Sequence, residues 1–215
     1  MQVMVKDQVA PGAEALYWLC GGLVLCILPH MAHMPLWIMI MSVALIVWRL
    51  GGELRRWPLP HGRIPSLRHV YILIIVAGSA GVFSHYHTLI GREAGTALLV
   101  LLAGLKLLET HSGRDFYVSS FLGFFVIVTN FFYTQSIAMA VYMALVVLTL
   151  TTALLAHNDR DCSLKPAAHV RLAGGLLAQA TPVMLVLFLL FPRIDRKSTR
   201  LNSSHIQKSR MPSSA

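Results

Sequence analysis

Six polar residues stand within or beside long apolar runs: Arg92, Glu93, Lys106, Glu109, Asn130 and Gln135. Arg92-Glu93 opens one run and Lys106 with Glu109 closes it. On a helix, Lys106 and Glu109 are i,i+3 neighbours and can pair. A charge inside a bilayer is costly and is a functional candidate by default. These four lie near segment ends, where long side chains reach the membrane interface. Anchoring and pairing are therefore the roles expected of them. Asn130 and Gln135 flank the turn Tyr133-Thr134-Gln135-Ser136, where capping or helix–helix hydrogen bonds are expected.

Other groups that could do chemistry do not assemble. His30, His33, His85 and His87 are expected at one membrane face, and four imidazoles there could bind a metal. Only Glu93 accompanies them and the spacing is not diagnostic, so no metal site is expected. Cys20 and Cys26 are six residues apart, about 240° around a helix, and Cys162 falls in a polar loop. That pattern is neither a metal-ligand spacing nor a disulfide framework. No Ser-His-Asp or Cys-His-Asp set shares a loop or face. Walker and dinucleotide fingerprints do not occur. No catalytic residue and no cofactor is expected.

The elements that position these residues follow from composition. Of 215 residues, 56% are hydrophobic and 13% charged, where a soluble domain carries roughly 25% charged residues. Mean hydropathy is +0.65. The fold class expected is all-α, a polytopic transmembrane bundle of about seven helices, because lipid leaves no partner for unpaired backbone groups. Ala15 to Trp48 has no Asp, Glu, Lys or Arg before Arg49, and Pro29 and Pro35 break it into two short helices near 12–28 and 35–50. They cross as a hairpin or re-enter. Further segments run Val70 to Ser84, Ala94 to Leu108, Phe116 to Phe132, Ser136 to Ala156 and Leu172 to Pro192. Gly78, Gly81, Gly174 and Gly175 are expected to allow close helix approach, and Pro182 to kink the last helix.

Charge sets an orientation. Lys6, Arg49, Arg55, Arg56, Arg63, Arg68, Lys106, Arg114, Arg160, Lys165 and Arg171 fall on one side of this arrangement, and Arg92 and Arg193 on the other. The positive-inside rule then places the N-terminus in the cytoplasm and the exit of the seventh helix outside. The net charge of +9 thus suits a membrane, and no nucleic-acid partner is expected.

The runs Gly91-Arg92-Glu93-Ala94-Gly95-Thr96, Leu105-Lys106-Leu107-Leu108-Glu109, Thr129-Asn130-Phe131-Phe132-Tyr133-Thr134-Gln135-Ser136 and Leu190-Phe191-Pro192-Arg193 occur in this order. Over about residues 15–194 the chain resembles the N-terminal membrane domain of bacterial TgpA-type transglutaminase-like proteins. That resemblance implies an inner-membrane anchor in cis to an extracytoplasmic domain with a Cys-His-Asp triad, which would transfer a glutamine acyl group. No triad residue carries over to this chain, so the stretch at hand is expected to be non-catalytic. Residues 195–215 switch abruptly to Ser and basic residues and resemble a translated sequencing-adapter tail. The expected organisation is therefore a helical membrane domain over 1–194 and a disordered, artefactual tail over 195–215. The alternative is a self-sufficient carrier or channel for a small solute, which would want ionisable groups near the bilayer midplane. A quinone- or haem-associated subunit would want histidines within the spans.

Overall fold

A computed structural model describes residues 10–55, 57–59, 65–88, 90–159 and 164–190. The expectations for the Arg56 and Arg63 loop, for Lys6, Arg160, Cys162 and Arg193, and for the tail 195–215 fall outside the described residues. The described residues form helices and connecting turns, with no strand among them. Helix α1 spans Ala13–Ile27 and tightens into a 3-10 turn, Leu28–Ala32; α2 is Leu36–Arg55 and α3 is Pro65–Tyr86. Then follow α4 (Arg92–Glu109), α5 (Gly113–Asn130), α6 (Ile137–Asn158) and α7 (Pro166–Leu190). The chain divides into two units, 1–175 and 176–215, with the division inside α7.

Five stretches are long and apolar enough to cross a bilayer: Ala13–Ala32, Leu36–Leu54, His69–Tyr86, Ile137–Asn158 and Pro166–Leu187. The first two are 20 and 19 residues, so neither helix of the hairpin is too short to cross. Helices α4 and α5, 18 residues each, are still about 27 Å long. Helix α4 touches α1, α2, α3 and α5, and α5 touches α1, α4 and α6.

The core of the first unit lies where α1, α2, α4, α5 and α6 meet, around Leu16, Leu19, Leu23, Ile38, Ile46, Leu107, Phe116, Met143 and Leu150. A smaller cluster, Leu45, Leu101, Leu105 and Leu108, receives Tyr71, Ile74 and Ile75 of α3. Large apolar side chains also point outward, among them Leu73, Val76 and Phe83 on α3 and Phe121 and Phe125 on α5. A surface of that kind suits lipid, which solvates apolar side chains and offers backbone groups nothing.

Glycine marks the closest approach, at positions other than some expected. A Cβ at Gly22 of α1 would lie 2.5 Å from Leu150 Cδ2, and one at Gly123 of α5 would lie 2.9 Å from Leu150 Cδ1. Leu150 of α6 thus fills a notch built from two glycines. Gly78 faces Leu101 and Gly81 faces Trp37 in the same close way. Gly174 and Gly175 are a correction: among the described residues no neighbouring atom comes within 4 Å of a Cβ at either. Pro182 lies inside α7, which continues past it.

Candidate functional site

The polar residues gather at the two ends of the first unit. At one end the C-terminal turn of α4 meets the start of α5. Ser112 caps α5: its Oγ accepts from Asp115 N at 3.2 Å, and the Asp115 carboxylate accepts from Ser112 N at 3.3 Å. This reciprocal capping box satisfies two otherwise orphan donors. It also aims the other Asp115 oxygen at Lys106, whose Nζ donates to it at 2.9 Å and to Glu109 at 3.1 Å. Burial alone would raise the Asp115 carboxyl, but the bonds from Lys106 and Ser112 outweigh it and hold it at about 2. Thr110 Oγ1 donates to Lys106 O at 3.0 Å and lies 2.9 Å from Ser119 Oγ, so Ser119 donates in that pair.

Arg49 sits within α2 and is 5% exposed. The helix runs on to Arg55 and carries Arg49 against the α4–α5 turn. Its Nη2 donates to Thr110 O at 3.4 Å, and its Nη1 lies 3.5 Å from Glu53. Lys106 lies in the last turn of α4. A lysine held between two carboxylates has its charge matched locally. These bonds join α2, α4 and α5 at this end.

The opposite end gathers the α1–α2, α3–α4 and α5–α6 turns. Arg92 Nη1 donates to Phe132 O at 3.3 Å, and its guanidinium lies 5.1 Å from the Tyr133 ring centre. Glu93 is 4.0 Å from Arg92, with both side chains more than half exposed. His33 stacks obliquely on Tyr133 at 4.7 Å. A shallow cleft of about 290 Å³ opens beside Tyr86, Thr88, Arg92 and Glu93. Gln135 Nε2 donates to Phe131 O at 3.4 Å, within its own turn.

Asn130 is buried and reaches across to α1: its Nδ2 donates to Cys26 O at 3.3 Å and to Val126 O at 3.3 Å. The buried His30 meets Cys26 O through Nδ1 at 3.2 Å and Thr129 Oγ1 through Nε2 at 3.2 Å. Pro29 explains a neighbouring bond. Proline has no N–H, so Leu25 O, four residues earlier, loses its helical donor. Tyr142 of α6 supplies one instead, donating to Leu25 O at 2.8 Å. Cys20 and Cys26 are buried free thiols, and Cys26 Sγ donates to Gly123 O at 3.6 Å.

Of the six singled-out residues, Lys106 and Glu109 come together, as do Arg92 and Glu93, while Asn130 and Gln135 serve separate bonds. One group was not legible from spacing. His169, in the first turn of α7, is buried with its side chain 3% exposed. Its Nδ1 lies 3.1 Å from Glu14 of α1 and its Nε2 lies 3.2 Å from Asp159 at the end of α6. Glu14 also accepts from Trp18 Nε1 at 3.4 Å. The available signal was Lys165-Pro166: proline suits the first helical position, which starts α7 at Pro166, six residues ahead of the apolar run.

Polar side chains that end in bonds between helices, under an apolar outer surface, define a helical domain of the membrane type. Residues 18–213 match the family described as TgpA N-terminal domain, and the chain belongs to that family. It is 40% identical over 186 residues to a protein-glutamine gamma-glutamyltransferase of Pseudomonas aeruginosa, a match covering 84% of this chain and 26% of the relative. The chain thus spans about a quarter of that relative's length. The family match continues past Ile194. No solved structure matches the chain.

Proposed function

We propose that this chain is the membrane-embedded N-terminal region of a transglutaminase-like protein, which anchors an extracytoplasmic Cys-His-Asp domain at the bacterial inner membrane. On this reading the region is non-catalytic by itself, and its N-terminus lies in the cytoplasm. The observation that carries the proposal is membership of an N-terminal domain family together with a match to only 26% of a protein-glutamine gamma-glutamyltransferase. The side chains support it, since Lys106, Glu109, Asp115 and Asn130 hold helices together. The distribution of Lys and Arg supports the orientation.

Two measurements test it. Sequencing the source locus past the codon for Ile194 should reveal an open frame continuing into a domain with Cys, His and Asp in papain-like order. A stop codon soon after would favour a stand-alone membrane protein. Reporter fusions after Pro58 should be active in the cytoplasm and fusions after Phe191 outside it. Activity of both on one side would overturn the topology.

A further inference from the structure

The Glu14–His169–Asp159 group has a protonation requirement written into its geometry. Both ring nitrogens of His169 face carboxylate oxygens, at 3.1 and 3.2 Å. A carboxylate accepts and does not donate, so satisfying both contacts takes two ring N–H groups, and a neutral imidazole has one. With both carboxyls ionised, the remaining nitrogen lone pair of a neutral ring faces a carboxylate lone pair at hydrogen-bond distance, inside a site where His169 is 3% exposed. One of the two contacts must then open.

We propose that Glu14, His169 and Asp159 form a proton-binding site, and that the bound proton latches the start of α7 to α1 and α6. The proton comes from water by way of Glu14, whose side chain is 40% exposed, and adds to the free ring nitrogen to give an imidazolium between two carboxylates. Its loss returns the proton to water and frees one helix from the ring. Among the described residues, the charged groups in contact with His169 are Glu14 from α1 and Asp159 from the end of α6. Lys165 and Arg171 flank it along its own chain segment. Asp159 is fixed in turn, since its Oδ2 also accepts from Leu164 N at 3.0 Å. A histidine is the side chain suited to respond near neutral pH. The inference does not depend on whether an extracytoplasmic domain follows, so it can fail without the anchoring proposal failing, and the reverse.

The test uses the full chain in lipid nanodiscs with ¹⁵N-labelled histidine rings, with His169→Gln identifying the His169 signals. Ring shifts and amide exchange over residues 166–175 are followed from about pH 5 to about pH 10, with exchange corrected for its intrinsic pH dependence. The ring is expected to pass from imidazolium to neutral, and protection at 166–175 to fall at the same midpoint. Glu14→Gln and Asp159→Asn each remove one stabilising carboxylate and should lower that midpoint. His169→Gln should make protection independent of pH. A ring that keeps one state throughout, protection that does not follow the ring, or midpoints unmoved in both carboxylate variants would each overturn the proposal.

Discussion

At the residue scale, the bonds that hold this bundle replace donors or charges that the helices themselves cannot satisfy. Tyr142 takes over the donor that Pro29 lacks. Tyr142→Phe should therefore lower stability in detergent by about 1 kcal/mol, the usual cost of an unmade buried hydrogen bond. In a Pro29→Ala background a backbone N–H becomes available to Leu25 O, and the same substitution should cost clearly less. Equal losses in both backgrounds would show that the hydroxyl matters for another reason. Asp115 makes a pH-dependent counterpart. Its folded carboxyl sits at about 2, below the ordinary 3.8, so its contribution is complete above 3.8 and fades as pH falls toward 2. Asp115→Asn should lower stability near neutral pH by about 1 kcal/mol through the weakened capping box, read as a lower melting temperature. The gap between variant and parent should close in acid. Lys106 with Glu109 and Ser112 with Asp115 are local i,i+3 pairs, whereas the bonds between helices were not legible in advance. Those bonds join positions up to 155 apart in sequence, and only the assembled helices bring them within reach.

At the scale of elements, the apolar runs were legible because lipid makes helix the only backbone solution for them. Their ends were less so. Helices α3 and α7 start at Pro65 and Pro166, five and six residues before the runs expected from hydropathy, because a proline at the first helical turn and polar residues after it are compatible with helix. The contact faces were legible at Gly78 and Gly81 and misplaced at Gly174 and Gly175, since a glycine pair shows that close approach is allowed and not that a neighbour arrives. The notch for Leu150 gives the sharper test. Gly123→Val should destabilise the α1–α5–α6 packing by about 1–3 kcal/mol, as overpacking does. Gly174→Ala meets no neighbouring atom within 4 Å among the described residues and should stay within about 0.5 kcal/mol of the parent. Thermal unfolding of the two variants in one detergent reads the difference directly, and similar losses in both would remove the notch as an organising contact.

At the scale of the whole molecule, the question is which solvent surrounds the bundle. Outward apolar side chains in water would be a liability, whereas in a bilayer they are the surface that makes insertion favourable. One substitution separates these cases. Val76 lies mid-way along α3 and is 59% exposed, so an arginine there meets no packed neighbour to disturb. In a water-soluble fold Val76→Arg would be nearly silent. In a spanning helix it places a charge at the bilayer centre, at a cost of about 2.5–3.5 kcal/mol on insertion scales. Leu54→Arg, 68% exposed at the end of α2, supplies the control, because an arginine at a helix end reaches the interface. Membrane-fraction and glycosylation-mapping assays should show impaired integration of α3 for Val76→Arg and parental behaviour for Leu54→Arg. Normal integration of both would mean that α3 does not cross. With α3 withdrawn, the helices after it would reverse their sides, and the extracytoplasmic exit proposed for α7 would go with them.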